Sequence, residues 1–590
     1  MAKLLDKENA PFEKVDAESA GKLAEEAVKD PHHVKAMKPL PSRKMKKEVP
    51  LMDCFVAPCK EGCPIHQDIT TYLQLVGEEK YEEAMEVITE KNPLPFITGT
   101  ICAHNCMSKC TRNFYETPVH IREMKLKAAE NGYEALLEKL PVPAVTKAGK
   151  AAVIGGGPAG MAAAYFLRKG GMEVTLFEAK ESLGGVVRHV IPPFRISEDA
   201  IEKDAEILRK MQVDIHCNTK LESLEELKKQ GYTKIVLAVG APVQGSLKLE
   251  SGMPKNALEF LAEFKQTDGK VSLGKHVVVI GGGNTAMDTA RAAKRNAGVE
   301  HVYLIYRRTR RYMPADEEEL VMALEDGVEF KELLSPVKLE NGQLFCKVMQ
   351  LSDYDVSGRR GVTETGETVW VPADTVIAAV GEKVPTDWYQ ANGLAVSEKG
   401  RLYVDEKTLK TSDDNVYAAG DGLYGPATVV EAIRDGRKVA EAIAGEVLAC
   451  DFDKLAEEEK VYAKRGVLKE EQKETKEAGR CLGCSTICEN CVEVCPNRAN
   501  IAIQVPGMEK HQIIHVDYLC NECGNCKSFC PYSSAPYLDK FTLFETEADM
   551  ENSKNQGFAV LDQETRAVKV RFFGKTFIWE PEKRQLFRTG

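Results

Sequence analysis

Apolar residues along the chain fall into three patterns. In residues 69–93 the segment ITTYLQLVGEEKYEEAMEVITEKNP places Tyr72, Leu75, Val76, Tyr81, Met85 and Ile88 at helical spacing. Asn92-Pro93 then stops the helix that this spacing predicts. From residue 150 the pattern becomes short apolar runs that end at glycine. AAVIGGGPAGMAAAYFLRKGGMEVTLFEAK reads as a buried strand, a glycine turn, a helix and a second strand. HVVVIGGGNTAMDTARAAKR followed by HVYLIYRR repeats the plan. IVLAVGA near Gly240, IAAVGE near Gly381 and VYAAGDG around Asp421 continue it. This strand–turn–helix rhythm predicts parallel sheets. The last pattern, FAVLDQETRAVKVRFFGKTFIWEP, alternates with period two, like a β-hairpin.

The expected fold is therefore multidomain α/β, with a helical N-terminal domain, two Rossmann-like domains and a cysteine-rich C-terminal part. The predicted divisions are a solvated arm over 1–50, a helical domain over 51–147, and a first dinucleotide-binding segment over 148–270. A second dinucleotide domain follows over 271–385, and the rest of the first over 386–450. A charged linker over 451–480, a cysteine-rich unit over 481–540 and a β tail over 541–590 complete the chain. A length of 590 residues suits about four domains. The arm's basic stretch, 35–47, is broken by Pro39 and Pro41 and reads as a solvated segment.

A net charge of −11 argues against general nucleic-acid binding. No run of about 18 apolar residues marks a membrane span. MAKLLDKENAPFEK lacks the apolar stretch of a secretory signal, so a cytoplasmic protein is expected.

The first glycine loop is Gly155-x-Gly157-x-x-Gly160, with Pro158 and Ala159 opening the helix. Gly155 permits a tight turn, Gly157 lets a pyrophosphate reach the backbone, and Gly160 lets helix and strand pack closely. The phosphates then meet a helix N-terminus. Glu178 ends the next strand and suits a ribose diol. The loop alone does not distinguish FAD from NAD. The downstream Gly420-Asp421 does, as in flavoproteins whose FAD domain is split by an insertion. Gly185, Arg188, Gly240 and Thr428 complete the expected FAD-binding set.

The second loop, Gly281-x-Gly283-x-x-Ala286, includes Asn284 and Thr285. Its following strand ends in Tyr306-Arg307-Arg308 rather than an acid. Arginine binds a 2′-phosphate through charge-assisted bonds where an acid would repel it, so NADP(H) is favoured over NAD. Gly381 joins this set.

Of 18 cysteines, six lie between Cys54 and Cys110 and nine between Cys481 and Cys530. Such clusters outside a secreted chain read as metal ligands. Cys217, Cys346 and Cys450 stand apart and are expected to be small buried apolar residues. Cys520-x2-Cys523-x2-Cys526-x3-Cys530-Pro531 is the bacterial ferredoxin run, which predicts [4Fe–4S] clusters. Its partner is Cys484-x3-Cys488-x2-Cys491-x3-Cys495-Pro496, one residue longer in its first gap. Cys481 could substitute for Cys484. The fourth cysteine of each run crosses to the other cluster, giving Cys520, Cys523, Cys526 and Cys495 for one. The other then takes Cys484, Cys488, Cys491 and Cys530, so residues 481–540 are expected to form a 2[4Fe–4S] ferredoxin-like domain. The N-terminal ligand candidates are Cys54, Cys59, Cys63, Cys102, Cys106 and Cys110. Six do not fill two four-ligand clusters. They allow one cluster with spares, two clusters with a non-cysteine ligand each, or a zinc or structural role.

MDCFVAPCKEGCP, GTICAHNC, GGGPAGMAAA, GGGNTAMDTAR, YRR and AAGDG, in that order, resemble the small subunit of NADPH-dependent glutamate synthase over residues 50–450. The resemblance extends to the N-terminal half of dihydropyrimidine dehydrogenase and to the large subunit of electron-bifurcating ferredoxin–NADP transhydrogenase. The tail, RCLGCSTICENCVEVCPNRANIAI with CPYSSAPYLDKFTLF, resembles the selenate reductase family, associated with molybdenum hydroxylase systems. The resemblance implies FAD, NADPH and two N-terminal [4Fe–4S] clusters. One would use Cys54, Cys59, Cys110 and a cysteine at the position of Leu51. The other would use Cys63, Cys102, Cys106 and a Gln or Glu at the position of Lys125. This chain departs at both fourth ligands, and Glu123 is a further candidate.

The expected function is an NADPH oxidoreductase subunit that exchanges electrons between NADP(H) and iron–sulfur clusters. FAD can take two electrons and release them singly, and no acid–base residue is required. A partner redox subunit, of molybdenum hydroxylase or glutamate synthase type, or a ferredoxin would complete a hetero-oligomeric complex. NADP⁺ reduction by low-potential clusters, as in a transhydrogenase, is the alternative. A disulfide reductase is disfavoured because residues 150–450 contain no CxxC.

Overall fold

The computed structural model describes residues 21–22, 25, 44–114, 116–354, 359–452, 454–469, 476–581 and 585–588. Most of the expected arm, with most of its basic stretch, lies outside the described residues. Its last residues are not a solvated strand end. The Met45 amide donates to the Pro531 carbonyl at 2.8 Å, Ser533 N to Lys47 O at 3.1 Å, and Val49 N to Ser534 Oγ at 2.7 Å. Residues 45–49 thus lie along 531–534, where backbone groups that the arm would have left to water find partners.

The N-terminal domain is helical. Helices α1 (Ile69–Gly77) and α2 (Tyr81–Thr89) replace the single helix that the apolar spacing predicts. Tyr81 lies five positions beyond Val76, a step that would rotate the apolar stripe. The chain breaks after Gly77, with Glu79 at φ 60°. Helix α3 (Pro95–Ile101) and the long α4 (Ile121–Lys139) complete the domain. A Cβ on Gly132 of α4 would lie 2.3 Å from the Tyr81 carbonyl, so glycine is required where α4 crosses α2.

The FAD-type domain begins with β1 (Lys150–Ile154), α5 (Pro158–Lys169) and β2 (Glu173–Phe177). Helix α6 (Glu198–Lys210), β3 (Asp214–His216) and β4 (Tyr232–Leu237) follow. The second dinucleotide domain contains β5 (His276–Ile280), α7 (Asn284–Arg295), β6 (His301–Tyr306), β7 (Glu329–Glu332) and β8 (Thr375–Ala378). The chain then returns to the first domain through β9 (Val416–Ala418) and α9 (Val429–Ala444). The first sheet has the order β9-β4-β1-β2-β3, all parallel. The second runs β8-β5-β6-β7, also parallel, with Lys255–Asn256 on the β8 edge. That edge pairing and the following helix, Ala257–Gln266, bring the second domain's start earlier than residue 271. Three antiparallel strands between Leu334 and Pro372 lie beside this sheet. The chain passes between the domains on two short antiparallel segments, Val243–Gln244 against Glu382–Lys383.

The C-terminal region forms one seven-stranded sheet. Its strands are β10 (Asn500–Ile503), β11 (Gln512–Val516), β12 (Phe541–Phe544), β13 (Gly557–Asp562), β14 (Ala567–Phe572), β15 (Lys575–Glu580) and β16 (Gln585–Arg588). They pair in chain order, and β12 lies parallel between β11 and β13. The sheet therefore runs unbroken through residue 540. Among the described residues no helix is long and apolar enough to cross a membrane.

One hydrophobic core extends from the N-terminal helices through the FAD-type sheet to Ala478, while the second dinucleotide domain has its own. The N-terminal helical domain is thus fused to the FAD-type domain rather than tethered to it. Cys106, Cys110, Cys481 and Cys484 pack against the shared core.

Candidate functional site

The first glycine loop joins β1 to α5. Gly155 has φ 106°, and a Cβ there would lie 2.3 Å from the Ala238 carbonyl. A Cβ on Gly160 would lie 1.8 Å from the Gly155 carbonyl, which brings α5 directly onto the turn. Around Gly157 the nearest atom to such a carbon is Gly185 Cα, at 3.8 Å. The loop therefore closes tightly at its two outer glycines and stays open at the middle one, the form a pyrophosphate cradle needs. Pro158 and Ala159 form the first turn of α5.

Glu178 is buried at the end of β2. Its carboxylate accepts from Gly156 N at 2.6 Å and from Lys180 N at 2.8 Å, and so is held at the loop. Gly185 has φ 53° and ψ −134°, a conformation open to glycine alone, and it faces Gly157. Arg188 is engaged elsewhere. It donates to Glu202 at 2.6 Å and pairs with Glu198 at 3.6 Å.

Gly420 approaches Ala159 of α5, where an added Cβ would lie 2.7 Å from the Ala159 Cβ. Asp421 Oδ1 accepts from Ala427 N at 3.0 Å. Burial pushes the Asp421 carboxyl up, the Ala427 amide opposes this, and Asp435 and Glu431 add to the rise. Burial, with Asp421 nearby, also raises Glu382 on the interdomain crossing. Thr428 is the N-cap of α9, in a capping box with Glu431. Its side chain is thereby committed to the helix start, and α9 presents its N-terminus beside that of α5. Gly240, at φ 68°, has open space where a Cβ would sit.

The second loop repeats this form. Gly281 lies close to Ala379 O and to Ala286 Cβ, at 2.5 and 3.1 Å from an added Cβ, so alanine fits the third glycine position. Nothing lies within 4 Å of a Cβ on Gly283 or Gly381. Asn284 Nδ2 donates to Asp316 Oδ2 at 3.2 Å, and Asp316 N donates back to Asn284 Oδ1 at 2.9 Å. Thr285 lies half-buried in the first turn of α7. Beyond β6, Arg307 is exposed, with no hydrogen bond or ion pair among the described residues, whereas Arg308 Nε donates to the Arg360 carbonyl at 2.7 Å. Arg195, from a loop of the FAD-type domain, joins the domains through Asp288 and Glu319, each at 2.5 Å.

The cysteines do not separate by chain end. Burial raises the Cys59 thiol well above its ordinary range, and the neighbouring thiols adding to this are Cys481, Cys110, Cys484 and Cys106. Thr111 Oγ1 and Cys484 Sγ share a hydrogen bond at 3.1 Å. Burial also raises Cys491, with Cys488, Cys54 and Cys530 as neighbours and Lys540 opposing. Cys106 is raised by burial, then by Cys63 and Cys102, with Lys125 opposing. Cys495, Cys520, Cys523 and Cys526 line one small pocket, the set that the crossing rule predicts. In the second predicted set, Cys488 and Cys491 have Cys54 and Cys530 as neighbouring thiols, while Cys484 bonds Thr111 and also neighbours Cys488.

Among the described residues no three His, Cys, Asp or Glu side chains are close enough to share one metal ion. A zinc site needs four ligands about 2.3 Å from one centre. The donors are soft thiolates, a ligand type that suits iron–sulfur clusters and zinc alike.

Lys125 is buried, and Glu123 is exposed and hydrogen-bonded to His120 at 3.1 Å, so Glu123 does not face the thiols. The Leu51 carbonyl faces the buried Lys540 ammonium at 3.4 Å. Of the isolated cysteines, Cys346 is buried as expected, with its thiol pushed up to about 12 by burial. Cys217 is half-buried and Cys450 exposed, since each follows the end of an element rather than lying within a core strand. Cys217 and Cys346 belong to different sheets and cannot form a redox pair near the first loop. Spacing alone did not mark Thr111, Arg112, Arg480 or Lys540. For Thr111, Arg112 and Arg480 the signal would have been polar residues close to cysteines, whereas Lys540, ten residues beyond Cys530, carried none.

Residues 149–436 match the pyridine nucleotide-disulphide oxidoreductase family, and residues 40–135 match dihydropyrimidine dehydrogenase domain II, 4Fe-4S cluster. YgfK of Escherichia coli (strain K12) is 40% identical over 94% of this chain and 55% of its own length. The chain thus spans about half of that relative. The glutamate synthase [NADPH] small chain of Azospirillum brasilense is 33% identical over 66% of this chain and 86% of that protein. PreT, a subunit of the NAD-dependent dihydropyrimidine dehydrogenase of Escherichia coli (strain K12), is 31% identical over 66% and 91%. With two glycine cradles in tandem and cysteine sets packed on the flavin-type core, the chain belongs to the family of these small chains, the NAD(P)H-dependent flavin and iron–sulfur oxidoreductases.

Proposed function

We propose that this chain is an electron-input subunit that exchanges electrons between NADP(H) and iron–sulfur clusters through FAD, and that a partner carries the terminal reaction. The observation that carries this reading is the fusion of the cysteine-bearing helical domain with the FAD-type domain in a single core. FAD, when bound, supplies the conversion between two-electron and one-electron transfer.

The chain's own residues divide the remaining work. Gly155, Gly157 and Gly160 leave backbone amides and the α5 N-terminus open to a pyrophosphate, while Glu178 accepts a ribose hydroxyl. Gly281, Gly283 and Ala286 form the second cradle, with Asn284 and Thr285 at its helix start. Arg307 is free to grip a 2′-phosphate. The short crossing at Val243–Gln244 and Glu382–Lys383, with the Arg195 clamp, ties together the two domains that carry the cradles. Buried cysteines and adjacent buried cations would hold [4Fe–4S] clusters away from water.

A cytoplasmic setting, which keeps thiols reduced, belongs to this reading. A hetero-oligomeric complex does too, with a molybdenum hydroxylase-type or glutamate synthase-type subunit or a ferredoxin as partner. The tail's resemblance to the selenate reductase family adds no substrate to it.

Anaerobic titration tests the proposal. NADPH should bleach the flavin and produce reduced-cluster signals in electron paramagnetic resonance, and NADH should do so far less well. Arg307→Ala should raise KM for NADPH about ten- to a hundredfold, as for a lost charge-assisted contact, and leave NADH unchanged. Equal reduction of the native protein by both nucleotides would refute the NADP assignment. Absence of iron would refute the electron route.

A further inference from the structure

We propose that two iron–sulfur sites are each built from both ends of the chain: Cys59 and Cys110 with Cys481 and Cys484 hold one cluster, and Cys54 with Cys488, Cys491 and Cys530 holds another. This rests on the reading above that the clustered cysteines are cluster ligands, and it deepens that reading by assigning them.

The backbone around Cys54 and the segment after Cys110 are tied to the tail. Beside Cys54, Asp53 N donates to Gln512 Oε1 at 2.6 Å, Lys510 Nζ to Phe55 O at 3.3 Å, and Tyr532 Oη to Val56 O at 2.9 Å. Tyr532 lies two residues beyond Cys530. Beside Cys110, Thr111 bonds Cys484, and Arg112 Nε donates to the carbonyl of Arg480, the residue before Cys481, at 2.5 Å. Arg480 donates in turn to Thr117 O at 2.8 Å and Pro118 O at 3.3 Å. Thr70 and Ser485 share a hydrogen bond at 2.9 Å. These contacts fix Cys481 and Cys484 against the segment that bears Cys59 and Cys110.

Ligand numbers agree. If each end kept its own clusters, six cysteines would fall short of two four-ligand sites, and the nine tail cysteines would leave one over. Sharing leaves no tail cysteine over and fills three sites, with one three-thiol set remaining. Cys495, Cys520, Cys523 and Cys526 face their common pocket, and Cys63, Cys102 and Cys106 remain as the set beside Lys125. No clustered cysteine is left unassigned. The gap at Leu51 is filled by Cys481 and Cys484 from the far end of the chain, which frees Cys54 for the tail. Cations lie beside both shared sets, with Lys540 near Cys491 and Arg112 and Arg480 near Cys110. They offset the negative charge of buried thiolate clusters. Neighbouring sets approach one another, with Cys106 beside Cys59 and Cys484 beside Cys488.

The test uses the full chain purified anaerobically, with clusters counted by Mössbauer spectroscopy and resolved by electron paramagnetic resonance after reduction. Cys54→Ser should remove the same spectral component as Cys488→Ser, and Cys59→Ser the same as Cys481→Ser. If Cys54→Ser and Cys59→Ser remove one common component, or Cys481→Ser changes nothing, the assignment is overturned.

A second measurement needs no variant. In the intact native protein, iodoacetamide should spare Cys481 and Cys484. Stepwise oxidative cluster loss should expose them together with Cys59 and Cys110, as read by peptide mass spectrometry. Alkylation of Cys481 while all clusters remain would overturn the proposal. A native protein without iron would instead sink the underlying electron-transfer reading, a result distinct from iron that is present but differently grouped.

Discussion

Arg480 and Arg112 lie against each other almost entirely out of water, 1% and 0% exposed, and Glu116 holds both. Glu116 Oε1 accepts from Arg480 Nη2 at 2.9 Å and from Arg112 Nη1, and Oε2 accepts from Lys469 N at 2.7 Å. Burial pushes the Glu116 carboxyl up, but Arg480, the Lys469 amide and Arg112 together hold it below the usual range.

Glu116→Gln removes the carboxylate that Arg112 and Arg480 share, while Arg480 keeps its pair with Glu477. Removing one partner of a buried ion pair costs about 3–5 kcal/mol. The expected outcome is a loss of that order in denaturant unfolding, with faster hydrogen exchange over residues 476–487. Because the native carboxyl titrates below its unfolded value, its contribution is complete above the unfolded pKa. It fades as pH falls through the folded one. A variant as stable as the native chain would show that the tail is held by other contacts.

Gly160→Ala tests the first cradle. The added methyl would lie 1.8 Å from the Gly155 carbonyl, so the turn must open or α5 must move away. Either change separates the pyrophosphate-binding amides. Purified protein should carry little flavin by absorbance at neutral pH, while the helical domain keeps its fold by circular dichroism. Full flavin occupancy would refute the placement.

The glycine loops were legible because their chemistry is local: three glycines on one turn announce both a conformation and a ligand. Parallel sheets followed from strand–turn–helix order for the same reason. Spacing pointed to Cys495, Cys520, Cys523 and Cys526, which line one pocket, but it carries no sign of contacts between the two ends of the chain, because ferredoxin spacing describes neighbours in sequence. Here Cys54 and Cys530 are brought together by residues such as Tyr532 and Gln512, whose polar groups carry no spacing signal. Nor did the position of Arg188 beyond Gly185 reveal its pairs with Glu202 and Glu198, because α6 supplies both carboxylates from later in the chain. The split of the first helix at Gly77 could have been read from the five-residue step to Tyr81.

His515 supplies a pH-dependent test of the tail sheet. It is buried on β11, and its Nδ1 donates to Asn500 Oδ1 at 3.0 Å. Burial lowers it from 6.5 to about 4. In the unfolded chain this imidazole binds a proton near pH 6.5, whereas the native one stays neutral. Stability should therefore fall as pH drops below 6.5, by up to ~1.4 kcal/mol per pH unit from this group. Over pH 7 to 5, His515→Gln should unfold with a visibly shallower pH dependence. An unchanged slope would show that the imidazole is not buried neutral.

Lys125 is the last feature to test, because its charge has a predictable sign. It is buried on α4 and lowers the thiols of Cys63 and Cys106 against the effect of burial. On the proposed reading, a cluster at Cys63, Cys102 and Cys106 becomes more negative on reduction, and a neighbouring ammonium favours that state. Lys125→Met keeps the bulk and removes the charge, so the reduction potential at this site should fall. For one charge at a separation on the order of 6 Å and an effective dielectric constant near 20, the shift is on the order of 100 mV. Redox titration followed by electron paramagnetic resonance reads it directly. The component that moves should be one that survives in Cys54→Ser and Cys481→Ser alike, since those variants act on other sets. A potential that stays fixed or rises would mean that the ammonium does not face this cluster, and Lys125 would then be a helix-packing residue alone.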